Sequence, residues 1–567
     1  LAFGPSGSDA ILQTSATSVG KVVITNSGES ILKQTQVEHP IAKLIVDAVD
    51  QHGRVAGDGS VTVVLQLAAS MEEALHFTQG QLGIGPNATS LSPSLLRQSH
   101  LRRHRLISSL KQIHRHWIVN GALERWLINE KSSPIPQNDD NTVRLAVTHI
   151  IRTMMGNKLS ASAVSHLSAA LVELIFQSRL TSATPLHTVC TDLLHDFAFV
   201  HCPGLPLTES KPLHGLVCPG RVAVRGMATE LQATKVLILH GEFHSTPMKH
   251  EVAAGRMVFE TASTEATMAF LTAGEQFIRR WVERLRRDGV ALVLSSRTIH
   301  DATLGLLHEA GITAVHGMDE YDTCRIAKYT RTVPVSSLER FEDTPLPLGQ
   351  LAAFTQIMVG GQVMLHVEMD IKSVVRSSSP MHVPDLIRGH TLLVCGASDG
   401  MCRQYANLLT RGLTLIREWS FGSIEYGRQL AHNGGIPDAT SVSPLYVTGG
   451  GCSVELSLLM FLSDQARRGN ASLTAPLHPL APPSLTGGVI EPFAWRLLER
   501  SVESVIRSLL VNGHASGQSS SFSSSTLTRP TPMPWLKMLP HIRILHERSG
   551  LRNFGFNFNA IALNGNA

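Results

Sequence analysis

No Cys-x-x-Cys pair occurs in this 567-residue chain, and its seven cysteines are spread from Cys190 to Cys452. That spacing excludes a zinc ribbon and a disulfide framework, and it predicts a reducing compartment. No apolar run is long enough to span a membrane, and no signal-peptide pattern opens the chain. An excess of one charge is also lacking: 49 Lys and Arg stand against 45 Asp and Glu, a net charge of +4. A global basic field of the kind that drives non-specific nucleic-acid binding is thereby excluded. The 27 histidines are scattered.

What is present is the composition of a folded protein, 43% hydrophobic and 17% charged. The length predicts about three domains. The chain starts at Leu1 rather than Met, inside a motif described below, so a fragment is expected at that end.

The pattern changes character twice. "KVVITNSGESIL" (21–32) reads as a hairpin or a strand–turn–helix, and "EHPIAKLIVDAVDQH" (38–52) as a helix with Pro40 in its first turn. A further helix follows the glycine turn of "AGDGSVTVVLQLAASM" (56–71). The basic stretch 94–117 is an amphipathic helix. It reads as a nucleic-acid or acidic-partner surface or as a solvated face, and the balanced total charge favours the solvated face. Residues 132–141 read as a linker, and 144–176 as two helices around a Gly-Asn turn. Strands at 234–241, 290–296 and 312–317 then alternate with helices at 275–289 and 301–311, which predicts an α/β domain over 204–380. A strand at 390–398 and a helix at 400–419 follow, and then a glycine turn before an apolar helix in 447–468. Residues 516–533 are rich in Ser, Thr and Pro and are expected to be disordered, and the remainder to Ala567 has no clear period.

Glycine turns at 3–7, 57–59 and 449–451 are each read as opening an apolar helix. A helix start exposes unpaired amides and the positive end of the dipole, where phosphate can sit if the backbone can approach. Asp58 could hold Mg²⁺, which takes hard oxygen ligands, and Ser60 and Thr62 could donate to phosphate oxygens. Taken alone, each such turn reads as an ordinary helix cap; three of them shift the balance toward phosphate.

In order along the chain, "FGPSGSDAIL", "VVITNSGESILKQTQVEHPIAKLIVDAV", "AGDGSVTVVL" and "VTGGGCSVELSL" resemble the group II chaperonin pattern. That pattern runs Leu-Gly-Pro-x-Gly, Thr-Asn-Asp-Gly-Ala-Thr-Ile-Leu, Glu-His-Pro-Ala-Ala, Gly-Asp-Gly-Thr-Thr-Thr and Gly-Gly-Gly-Ala-x-Glu. "GLPLTESKPLHGLV" (204–217) and "GVALVLSSRTIHDATLGLLHEAGITAVHGMDEYDTCRIAKYT" (289–330) are similar to its apical domain. Within the family, the drifted motifs look most like the vertebrate chaperonin-like proteins of Bardet–Biedl syndrome.

The resemblance implies a multidomain α/β fold: a mostly helical equatorial domain in two halves, a small intermediate domain, and an α/β apical domain inserted between the halves. The corresponding boundaries are equatorial 1–142 and 426–515, intermediate 143–203 and 385–425, apical 204–384, and an atypical tail at 516–567. It implies ATP and Mg as ligands. The phosphate loop falls on Gly4 and Pro5, and the magnesium aspartate on Asp58 beside Gly57. The phosphate-contacting run falls on Gly59, Ser60, Val61 and Thr62, and the late glycine turn on Gly450 and Gly451.

Departures bear on the chemistry. Val61 stands where the pattern has a threonine. Ser27 replaces the Asn-Asp-Gly aspartate, and Arg411 the His-Asp-Ala aspartate that positions water. A carboxylate accepts a proton from water; serine does so poorly, and a guanidinium has no acceptor. The implied activity is nucleotide binding with weak or no hydrolysis. The chain would then assist assembly of a multi-subunit complex, with subunits of the ciliary BBSome as clients. Sister chaperonin-like proteins and the cytosolic ring chaperonin would be partners, in cytoplasm near the basal body and cilium base. An active ATP-hydrolysing ring chaperonin and a nucleotide-independent scaffold are the alternatives.

Overall fold

The structure is a computed structural model. It describes residues 3–4, 10–13, 22–25, 27–35, 37–79, 93–137, 139–156, 158–179, 184–196, 198–241, 243, 263–338, 341, 344–369, 390–432, 444–468, 480 and 490–517. Pro5 and the tail beyond residue 517 lie outside the described residues. The chain divides into two compact units: residues 1–165 with 414–567, and residues 166–413.

The first unit opens with an antiparallel pair, β1 (Ala10–Gln13) and β2 (Val22–Thr25), followed by α1 (Gly28–Gln34). The stretch 21–32 is thus strand–turn–helix. The turn at residues 3–4 precedes a strand and not the expected helix. Its short apolar run pairs with β2. Next come α2 (Pro40–Ala56) and α3 (Ser60–Gln79). Pro40 occupies the first turn of α2, and His39 Nδ1 accepts the Ile41 N–H at 3.2 Å. The basic stretch forms α4 (Pro93–His114), which runs into a π-helical turn at Arg115–Val119. After α5 (Ala122–Trp126) and a second π-turn at Leu127–Lys131, the sequence expected to be a linker contributes β3 (Ser132–Ile135). Ser132 to Ile135 find a partner strand late in the chain, which local composition could not reveal. The unit continues through α6 (Asp140–Met155), started by Asp139 accepting from the Thr142 N–H. Helix α7 (Ala161–Ser178) carries the chain into the second unit.

There α8 (Leu186–Asp196) leads to β4 (Ala198–Pro203). The strands β5 (Pro212–His214), β6 (Leu216–Pro219) and β7 (Glu230–Leu239) follow. The α/β alternation comes next: α9 (Thr264–Arg287), β8 (Val290–Ser295), α10 (Asp301–Glu309), β9 (Thr313–Val315) and α11 (Glu320–Tyr329). A long hairpin, β10 (Gly349–Val359) with β11 (Gln362–Glu368), completes a six-stranded sheet ordered β6-β11-β10-β7-β8-β9. Its β7-β8-β9 part is parallel and the rest antiparallel. Strand alternation sorts the core, because successive side chains point to opposite faces. Leu237, Leu239 and Val293 pack with Trp281 and Leu307 on one side. Val236, Ile238, Leu292 and Leu294 pack with Ile326 and Phe354 on the other. Strand β12 (His390–Gly396), buried along its whole length, lies between β4 and β5 in a second sheet.

Helix α12 (Asp399–His432) returns the chain to the first unit. There β13 (Leu445–Thr448) pairs antiparallel with β3, and α13 (Ser453–Arg468) and α14 (Pro492–Gly517) follow. Trp117, Phe461 and Trp495 meet in the core with ring centroids 5.9–6.4 Å apart. The Trp117 indole N–H donates to the Leu480 carbonyl at 2.9 Å. The architecture is therefore a largely helical body with an α/β region inserted in its sequence. All seven cysteines are free thiols. No helix among the described residues is long and apolar enough to cross a membrane.

Candidate nucleotide site

The turn between α2 and α3 needs both of its glycines. Gly57 ends α2 at φ 78°, its N–H on the Gly53 carbonyl at 3.0 Å, and Gly59 stands at φ 86°. Both angles are left-handed, where a side chain is disfavoured. The turn from Val63 N–H to the Gly59 carbonyl, 3.1 Å, opens α3. The amides of Ser60, Val61 and Thr62 precede it and so have no acceptor within the helix. A cap and an anion cradle are here the same object.

Charge is built in beside it. Asp58 is 49% exposed, and Lys158 Nζ lies 3.5 Å from its Oδ1. The Lys158 side chain is only 8% exposed, and its own N–H is anchored on the Met155 carbonyl at 2.9 Å. Lys158 thus enters the site from the turn after α6. Nothing local in the sequence marks this lysine, since only the fold brings residue 158 to residue 58.

Other backbones crowd the turn. A Cβ at Gly53 would come within 2.8 Å of Glu29 Oε2 and 2.9 Å of Ser60 Oγ. A Cβ at Gly28 would run into Val61, so Val61 packs on the start of α1 next to Ser27. A Cβ at Gly59 would meet His52 Nε2 at 3.1 Å. Beneath this, Lys33 ties α1 to α2, its Nζ 2.9 Å from Glu29 and 2.5 Å from Asp50. The Lys33 ammonium holds the Asp50 carboxyl below the ordinary carboxylate range, and Asp50 and then Glu29 hold the Lys33 ammonium above the ordinary lysine range.

The remaining expected residues divide. Gly4, at φ 89°, lies against Leu509 of α14. Pro5 is outside the described residues. The turn holding Gly450 and Gly451 opens α13: Gly451 has φ 66°, and Ser453 Oγ donates to the Gly449 carbonyl at 2.7 Å. Helix α14 packs against both α3 and α13, so the three turns belong to one helical bundle. Arg411 is half-buried on the part of α12 that belongs to the second unit.

The groups present fit a magnesium nucleotide. Asp58 supplies a hard oxygen ligand. The Lys158 ammonium, the Ser60 hydroxyl and the first amides of α3 are donors for phosphate oxygens. Among the described residues no group of three or more His, Cys, Asp or Glu side chains could hold a metal ion alone. An ion at Asp58 would therefore take most of its ligands from phosphate and water, as Mg²⁺ commonly does.

A family model for the TCP-1/cpn60 chaperonin family matches residues 2–88 and 111–419. Thermosome subunit alpha of Archaeoglobus fulgidus is 24% identical over 438 residues, covering 77% of this chain and 68% of that protein. Thermosome subunit beta of the same organism is 25% identical over 430 residues, 74% of this chain and 70% of its own length. The thermosome subunit of a Desulfurococcus species is 25% identical over 394 residues, 69% of this chain and 62% of its own. The chain belongs to the TCP-1/cpn60 chaperonin family, and a chaperonin-like role in protein folding goes with that membership.

Proposed function

We propose that this chain is a chaperonin-like assembly factor that binds Mg-ATP in its first unit and hydrolyses it slowly or not at all. The observation that carries the reading is the Asp58–Lys158 pair at the exposed start of α3. An acid and an ammonium on a packed lysine stem, flanking the first amides of α3, suit a charged ligand and are superfluous to a helix cap. Asp58 would hold the ion, and Lys158, Ser60 and the amides of Val61 and Thr62 the phosphates. When bound, the ion neutralises phosphate charge and orients the nucleotide.

Slow turnover rests on what Ser27 and Arg411 are. Neither can accept a proton from water as the carboxylates of the family pattern would. Loss of one positioned acid–base group typically costs about 10²–10⁴ in rate. By resemblance, the chain is of the Bardet–Biedl chaperonin-like type, its drifted motifs resembling those of the tenth member of that group. Its clients are then subunits of the BBSome. It works beside two sister chaperonin-like proteins and the cytosolic ring chaperonin, in cytoplasm at the base of the cilium.

Thermal unfolding of the full chain with Mg-ATP, Mg-ADP and EDTA tests the nucleotide reading. Stabilisation that requires magnesium and vanishes in Asp58→Asn is expected. No shift with any adenine nucleotide favours the nucleotide-independent scaffold. Turnover at the level of an archaeal thermosome favours the active ring chaperonin. Affinity isolation from ciliated cells tests the clients separately, BBSome subunits being the expected co-purifying proteins.

A further inference from the structure

The match to the family model breaks off at residue 88 and resumes at 111. That interval holds most of α4, a helix with an unusual charge record. Between Glu73 and Glu124 the chain has no acidic residue, while Arg97, Arg102, Arg103, Arg105, Lys111 and Arg115 all lie there. Burial orients the helix. Leu106, Ile113 and Trp117 face the core of the first unit. The opposite side is open: Arg97, Leu101, His104, Ser108 and Lys111 fall at spacings of four, three, four and three, and all are exposed. They form one stripe roughly 21 Å long at 1.5 Å per residue. Arg103 flanks it, exposed as well.

The stripe is not purely polar. Leu101 is 53% exposed and Ile107 51%, each within a turn of a basic side chain. The face thus presents cations and large apolar side chains together. Nucleic acid is a poorer match, because the exposed stripe carries no Phe, Tyr or Trp for base stacking, only the His104 ring, and would set Leu101 and Ile107 against phosphates. A segment with carboxylates and apolar side chains on one helical face matches both halves of the pattern.

We propose that the outer face of α4 docks an acidic amphipathic segment of another protein, with Arg97, Arg103 and Lys111 pairing its carboxylates and Leu101 and Ile107 covering its apolar side chains.

The probe is a fluorescein-labelled synthetic 22-residue helical peptide with Glu at i and i+4 and Leu at i+3 and i+7. Its binding to the full chain is followed by anisotropy at 150 and 300 mM salt. Binding that weakens with salt is expected. The triple variant R97E/R103E/K111E should lose at least tenfold in affinity. L101S/I107S should lose severalfold while keeping the salt dependence. All these side chains are exposed, so circular dichroism and the melting midpoint should match the parent. The proposal is overturned if the peptide fails to bind, or if charge reversal leaves its affinity unchanged. It is equally overturned if a 20-nucleotide single-stranded RNA or phosphatidylserine vesicles bind more tightly than the peptide through the same three residues.

Discussion

Asp58 and Lys158 could simply neutralise one another, and their exposures argue against that. A lysine side chain 8% exposed beside a carboxylate 49% exposed presents a one-sided pair: the stem of the lysine is packed, which fixes its ammonium at the turn, and the acid is open to a ligand. Replacing Lys158 by Met should therefore weaken Mg-ATP and Mg-ADP binding by about ten- to a hundredfold, the scale of a charge-assisted hydrogen bond of roughly 1.5–3 kcal/mol. Isothermal calorimetry on the variant checks this, and undiminished affinity would remove Lys158 from the site. Val61 offers the opposite change. Threonine has nearly the same shape and can keep the contact with the start of α1 while adding a hydroxyl. Val61→Thr should raise nucleotide affinity by about two- to tenfold, the range of one added neutral hydrogen bond. Gly28→Ala should do the reverse by driving a methyl into Val61. The expected readout is a lower melting midpoint together with a smaller nucleotide-induced shift.

At the scale of elements, helix α1 is short and fully buries no side chain of its own; the Lys33 bridge ties it to α2, and Val61 packs on its start. The sign of its pH dependence follows from both partners. Asp50, held below its ordinary range, contributes stability above the unfolded carboxylate value that is lost as pH falls through the lower folded value. Lys33, held above its ordinary range, contributes stability below the unfolded value of 10.5 that is lost as pH rises past the higher folded value. The bridge is thus intact across the neutral range and fails only at the acid and alkaline ends. Lys33→Met should flatten the acid limb of a melting-midpoint profile below about pH 4, where Asp50 titrates in the unfolded chain. An acid limb identical in parent and variant would show that the bridge carries no stability. Elements also mark what the sequence could express. Helices α2 and α3 and strands β7 to β9 were legible because their periods and caps are local. Strand β3 was not, since its partner β13 lies some three hundred residues on. The β10–β11 hairpin was not resolved within the expected α/β stretch either, although Gly360 and Gly361 mark its turn. In the site, the Gly-Asp-Gly turn announced itself by composition. Lys158 did not, because only the fold sets residue 158 against residue 58.

Over the whole molecule, the apolar packing is divided. One core gathers around Trp117, Phe461 and Trp495 in the first unit. Others enclose the six-stranded sheet of the second, with Trp281 and Phe354 at their centres. Chains with separate cores commonly unfold in more than one step. Calorimetry of the full chain should therefore resolve two transitions. A ligand stabilises only the part whose folding creates its site. Mg-ATP should accordingly move one transition, by roughly 5–10 °C at a hundredfold excess over its Kd, and leave the other in place. Trp281→Ala, which empties a buried indole position in the second unit, gives the complementary mark. A loss of about 3–5 kcal/mol should fall on the transition that nucleotide does not move. If nucleotide and Trp281→Ala instead shift a single common transition, the two units fold as one cooperative body. Nucleotide binding at Asp58 would then be coupled energetically to the sheet, a direct route from the site to whatever the second unit holds.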